Sequence, residues 1–254
     1  GYCLGMFNGL WLQAGYPSYD QIARYKRGNF GYLALQYGLQ LTDGTITKMP
    51  LEGEVEAFID IMHANGFKVL AWIQSNSKSP IDLSAEKRGN AVANLLVVVS
   101  SYGFDGVVTN VEGRTNSDHY DFANFLNAVT ATMHMYGKIH ITSMVAGDGE
   151  LFDEKGLFSN LKLDYISPML YDGADYWTKE TFHYFLNWYL TKSPCMVMPG
   201  LIAWDYDGRP LSLKLDWIDE YLYSHSGNRI AGFKVFWNAT MQQDDWDDWI
   251  AWSV

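Results

Sequence analysis

Only two cysteines, Cys3 and Cys195, occur in the 254 residues, and they stand far apart in the chain. Two cysteines make no disulfide framework, and neither sits in a CxxC or Cys/His spacing that would hold a metal. Buried free thiols and a single bridge both stay open, and the redox compartment with them. Nucleotide-binding glycine loops are also missing. Phe7-Asn-Gly-Leu-Trp11 carries no GxGxxG, and no GxxxxGK[ST] occurs anywhere. Positive charge is scarce, with 18 Lys and Arg against 29 Asp and Glu and a net charge of −11. That balance weighs against nucleic acid, whose phosphates need clustered basic side chains. The longest apolar run, residues 95–99, is far too short to span a bilayer, so no membrane insertion is expected. No linker rich in Pro, Ser or Gly, low-complexity tract or charge block interrupts the chain, so one domain over residues 1–254 is expected. No signal peptide remains at Gly1, and the missing Met points to a processed or trimmed chain.

What is present is apolar and aromatic. Hydrophobic residues make up 48% and charged residues 19%, a globular composition with enough length for a full core. Aromatics reach 16%, including 10 Trp and 17 Tyr; such richness can be core packing, while Trp and Tyr beyond that need suggest a surface that stacks on flat apolar faces such as sugar rings.

Strand-like and helix-like segments alternate. Short β-prone runs fall at residues 3–7, 32–36, 69–74, 106–112, 139–145, 165–171, 196–201 and 232–237. Most are continuously apolar, as in parallel strands buried on both faces. Between them, Val55, Phe58, Ile59 and Met62 follow helical spacing. So do Phe122, Phe125, Leu126 and Val129, and Phe182, Phe185, Leu186 and Tyr189. Gly66, Gly103 and Gly137 each stand between a helical pattern and a strand, where a left-handed residue ends a helix. Eight such units in this length predict an α/β fold, a single (β/α)8 TIM barrel, with residues 246–254 as the closing helix.

In such barrels chemistry gathers at the C-terminal strand ends. Asp105-Gly-Val-Val-Thr-Asn-Val-Glu112 reads as a buried strand ending in an acid, with Val108, Asn110 and Glu112 on one face. Trp72 and Gln74, Tyr171 and Asp172, and Trp237 and Asn238 end three other strands. Trp11, Trp72, Trp177, Trp204 and Tyr206 are expected on loops above them. One acid among Tyr, Trp, Asn and Gln suits a carbohydrate site. The bland alternatives are a Glu112 that caps a helix, an Asn110 that satisfies buried backbone, and a Trp237 that only packs. The six histidines show no metal spacing and are assigned to surface or packing. Asp244, Asp245, Asp247 and Asp248 read as a solvated helix face and match no calcium loop.

The segment Asp105-Gly-x-x-x-Asn110-x-Glu112 resembles the fourth-strand signature of the chitinase and endo-β-N-acetylglucosaminidase superfamily. Glycoside hydrolase family 18 reads DGxDxDxE there, and this chain has Val108 and Asn110 in place of two Asp. Family 85 looks closer at those positions. Ser167-Pro-Met169-Leu-Tyr171-Asp172 is similar to the family 18 MxYD motif, and Phe233-Lys-Val-Phe-Trp237 to its eighth strand. Lys68-Val-Leu-Ala-Trp-Ile-Gln74 falls where that family has SxGG and lacks it. The resemblance implies substrate-assisted hydrolysis of β-linked N-acetylglucosamine glycans with retention, in which the sugar's own 2-acetamido oxygen is the nucleophile. Glu112 would be general acid and base, and Asn110 would orient the acetamide with help from Tyr171. Trp237, Asp172, Met169, Trp72, Gln74, Trp11 and Trp204 would bind substrate. No metal or cofactor is implied. A monomer, secreted or at the cell surface, is expected. A catalytically silent relative that binds sugars or inhibits enzymes stays open, as does hydrolysis of a glycan lacking an acetamide with Asp172 as second carboxylate.

Overall fold

The computed structural model describes residues 7–12, 17–49, 54–75, 84–111, 119–171, 178–203, 210–225, 230–236 and 241–253. Its strands are β1 (Asn8–Leu12), β2 (Phe30–Gln40), β3 (Ile46–Lys48), β4 (Lys68–Ser75), β5 (Gly106–Val111), β6 (Ile139–Val145), β7 (Tyr165–Met169), β8 (Met196–Val197), β9 (Gly200–Ile202) and β10 (Lys234–Phe236). The α-helices among the described residues are α1 (Tyr19–Arg27), α2 (Val55–Ala64), α3 (Ala85–Tyr102), α4 (His119–Met135), α5 (Asp148–Glu154), α6 (Lys179–Lys192), α7 (Leu211–Ser224) and α8 (Gln243–Ser253).

The sheet runs β1-β10-β9-β7-β6-β5-β4-β2, and β1 pairs with β2 to close it. Every pairing around the ring is parallel. β8 and β9 together fill one position of an eight-stranded (β/α)8 barrel. The helical stripes expected from the sequence turn inward. Val55, Phe58, Ile59 and Met62 are buried on α2, and Phe122, Phe125, Leu126 and Val129 on α4. Phe182, Leu186 and Tyr189 are buried on α6, while Phe185 packs against the core only partly covered. Gly66, Gly103 and Gly137 all take positive φ, ending helices as expected. On α8, Asp244, Asp247 and Asp248 are exposed, and Asp245 is half-buried.

Three strand expectations need correction. Among the described residues the first strand begins at Asn8, past Phe7, the one residue of the expected run 3–7 that is described; residues 3–6 lie outside the described residues. Asn8 and Gly9 both serve this strand. Asn8 Oδ1 accepts from Phe233 N–H at 2.9 Å. A Cβ on Gly9 would stand 1.9 Å from Tyr32 Cζ, so only glycine lets that ring lie against the strand. The run at 196–201 is split into β8 and β9, with Met198 and Pro199 between them and Pro199 unable to donate to a ladder. β3, which pairs antiparallel outside β2, was not anticipated, being short and mostly polar.

Two acids bolt the N-terminal ends of neighbouring strands together. Asp105 Oδ2 accepts from Val69 N–H at 2.8 Å and lies 2.7 Å from His63 Nε2 in the last turn of α2. Asp164 repeats the arrangement, with Oδ2 accepting from His140 N–H at 2.8 Å and Oδ1 lying 2.9 Å from His134 Nε2 at the end of α4. The Asp of the Asp105-Gly pair is thus an architectural residue at the mouth opposite the strand tips.

Candidate functional site

Alternation along each parallel strand sends every second side chain into the barrel lumen. Strand register then stacks these side chains in layers. Trp72, Val108, Ile141 and Tyr165 are consecutive register partners on β4, β5, β6 and β7. They form an apolar floor together with Trp11, Tyr32 and Met198. Tyr32 Oη meets Met198 Sδ at 3.0 Å, and complete burial drives the Tyr32 phenol far above its usual range.

One step nearer the C-terminal ends the chemistry changes. Gln74, Asn110, Ser143 and Ser167 are the next consecutive register partners on the same four strands. Asn110, Ser143 and Ser167 are buried, and Gln74 is half-buried. A polar ring therefore sits directly above an apolar one. Into it comes a residue that sequence reasoning missed. Lys234, on β10 and 0% exposed, places Nζ 2.5 Å from Ser143 Oγ and 4.0 Å from the centre of the Trp11 ring. The signal was present: Lys234 is a charge inside the apolar run Phe233-Lys-Val-Phe236, two residues from lumen-packed Phe236.

Trp11 and Trp72 are not on loops. Trp11 lies in β1 and Trp72 in the middle of β4, both almost fully buried. Their ring centroids are 3.9 Å apart, and Phe236 stands edge-on to both at 5.0 and 5.7 Å. Their faces meet one another, Phe236 and the Lys234 ammonium, a packed cluster in place of an open platform. Tyr171 follows the end of β7 and stacks on Phe236 at 5.8 Å with an interplanar angle of 8°. Met169 and Tyr171 pack with Ile202 into a small cluster on that side of the barrel. The structure thus brings Asn110, Gln74, Tyr171, Met169, Trp72 and Trp11 into one lumen. Glu112, Asp172, Trp204 and Trp237 lie outside the described residues, as do Trp177 and Tyr206.

Behind the wall, Thr109 faces the helices and meets His140 Nε2, while Thr130 Oγ1 on α4 meets His140 Nδ1 at 2.8 Å. Burial pushes the His140 imidazole down to about 3, with the charge of His134 adding to the effect, so His140 is neutral at ordinary pH. Among the described residues no group of three or more His, Cys, Asp or Glu side chains could hold a metal ion. No described helix is long and apolar enough to cross a membrane.

No family model matches the chain, and no curated protein matches it by sequence. Solved structures do match in fold. A chitinase from Chromobacterium violaceum superposes with a TM-score of 0.76 at 13% identity, covering 98% of both chains. The spore cortex-lytic enzyme SleL of Bacillus cereus gives 0.71 at 15% identity, covering 98% of this chain and 74% of that one. A family 18 chitinase from Crocus vernus gives 0.68 at 16% identity, covering 93% of this chain and 95% of that one. At such identities the likeness is one of fold.

Proposed function

We propose that this chain is a retaining glycoside hydrolase that cleaves β-linked N-acetylglucosamine glycans by substrate-assisted catalysis. The observation that carries the reading is Asn110: a buried amide in the polar ring of the lumen, two residues before Glu112 in the sequence. Inward residues two apart on a strand are separated by roughly 6.5–7 Å. That spacing suits an amide holding the 2-acetamido group and an acid reaching the leaving oxygen. In this reading the acetamide oxygen attacks the anomeric carbon as Glu112 protonates the leaving group. Water then opens the oxazoline with Glu112 as base. Asn110 keeps the acetamide in its attacking pose, Tyr171 closes on it, Trp237, Asp172, Met169, Gln74 and Trp204 shape the sugar pocket, and Trp11 and Trp72 pack beneath it. The fold likeness to two chitinases and a cortex-lytic enzyme supports a glycan substrate. A secreted or surface-displayed monomer needing no cofactor fits such a substrate.

One observation favours a second reading, a silent sugar-binding barrel. The oxazolinium intermediate is cationic, and an acid beneath it would stabilise it. Among the described residues this lumen has Val108 in the apolar floor and Lys234 in the polar ring. The decisive experiment is hydrolysis of a chromogenic chitobiose or chitotriose glycoside and of a high-mannose N-glycopeptide, wild type beside Glu112→Gln. A wild-type rate that falls at least about 100-fold in the variant supports the hydrolase. Equal background rates, with sugar binding measured by calorimetry, would replace it by the silent barrel.

A further inference from the structure

Two polar groups of the lumen have no task in the reaction proposed above. Ser167 is fully buried, and its Oγ has no hydrogen-bond partner. It shares its strand face with Tyr165 and Met169, both packed in the lumen, so the hydroxyl points inward. A buried hydroxyl without a partner is costly and is kept for a reason. Beside it a methyl group on Gly200 would stand 3.1 Å from Pro168 O, 3.4 Å from Tyr171 Cε1 and 3.5 Å from Ser167 Oγ, so glycine keeps side-chain bulk away from the hydroxyl and the ring. Lys234 is the second group. An ammonium only donates, and here its Nζ meets the hydroxyl of Ser143, the register neighbour of Ser167. Adjacent strands are about 4.8 Å apart, so the serine that the ammonium meets stands about one strand spacing from Ser167. Two further donors, Trp11 Nε1 and Trp72 Nε1, are buried nearby without acceptors. The lumen is thus rich in donors.

We propose that Ser167 and Lys234 are specificity-determining residues that together hold an sp2 oxygen of a sugar substituent at the floor of the site. That oxygen belongs either to the carbonyl of an acetamide or to a carboxylate, since both offer the negative oxygen that an ammonium and a hydroxyl favour. The inference rests on the sugar-site reading of this barrel mouth but not on its catalytic power.

The test is calorimetric titration of wild type, Ser167→Ala and Lys234→Met, each checked for folding by circular dichroism. Three probes are compared: chitotriose, its fully de-N-acetylated form, and a trisaccharide containing glucuronic acid. The ligand with the right oxygen is expected to bind about tenfold more weakly to both variants. The de-N-acetylated probe should bind all three proteins equally poorly. If chitotriose is the affected probe, the oxygen is the acetamide's. If the uronate probe is affected, with an advantage that fades in salt and vanishes in Lys234→Met, it is a carboxylate's. Ser167→Ala decides the matter alone should Lys234→Met unfold, because a merely structural role predicts no loss on removing an unpaired hydroxyl. Ser167→Ala binding every probe as wild type does would overturn the proposal. Wild-type cleavage beside that result would leave the hydrolase standing. Binding that depends on Ser167 without any cleavage would instead sink the hydrolase and leave the floor. Wild type binding none of the probes overturns both.

Discussion

Thr109 Oγ1 and His140 Nε2 meet at 2.9 Å on the outer side of the barrel wall, one residue along the strand from Asn110. Thr109 also reaches Thr142 Oγ1 at 3.0 Å, and Thr130 holds the other imidazole nitrogen at 2.8 Å. Thr130 Oγ1 in turn donates to Leu126 O at 3.0 Å, so the ring is held from both sides by hydroxyls. Burial, not these contacts, keeps His140 unprotonated, and the network braces the strand carrying Asn110.

The pH dependence follows with a definite sign. The folded protein holds His140 at about 3, against 6.5 for a free imidazole. The unfolded chain thus binds this proton first, and acid favours unfolding. The stabilisation is complete above pH 6.5 and is lost as pH falls from 6.5 towards 3. Within that window the loss is about 1.4 kcal/mol per pH unit from this group. Urea unfolding of wild type and His140→Gln across that range checks it. The stability difference between the two should shrink steadily with acid, and a constant difference would refute the assignment.

Asp105→Ala should reduce stability by about 1–3 kcal/mol, because it strands the buried N–H of Val69. Ligand affinity should hardly change, since Asp105 stands at the opposite mouth from Asn110. Thermal unfolding and calorimetry on the same sample separate the two effects. Asp164→Ala is expected to behave alike, through His140 N–H.

Gly9→Ala forces a methyl into the Tyr32 ring and should cost roughly 1–3 kcal/mol or more through overpacking. Adding Tyr32→Leu to Gly9→Ala should return part of the loss. Denaturation midpoints of the two single variants and the double variant give the coupling directly; simple additivity would show that the contact does not matter.

Asn110→Ala should lower kcat by about 100-fold with little change in KM if the amide acts mainly as the reaction develops charge. A loss confined to KM would instead make Asn110 a binding group of the ground state. Steady-state rates on the chitotriose glycoside distinguish these outcomes.

The barrel was legible in the sequence because most strands are short apolar runs, α2, α4 and α6 each show an apolar stripe, and Gly66, Gly103 and Gly137 mark helix ends in the left-handed region. The errors have local causes. Asn8 and Gly9 are poor strand formers by composition, and the Tyr32 ring and the Phe233 N–H show why the strand needs them. Trp11 and Trp72 looked like loop aromatics, but alternation with register turns them into the lumen beside Phe236. Asn110 was placed on the correct strand face from the period of two alone. Lys234 was overlooked because a lysine in a four-residue apolar run has no visible partner until Ser143, remote in sequence, is folded beside it.

The two acid bolts, Asp105 and Asp164, have a bearing on how this barrel can be rebuilt. Each fastens a helix end, the strand after it and the next strand, all at the N-terminal mouth. The loops at the other mouth are outside this fastening. New chain termini opened there by circular permutation, or loops transplanted there from another barrel, leave both bolts unbroken, so the wall should tolerate such surgery at that end far better than at its own.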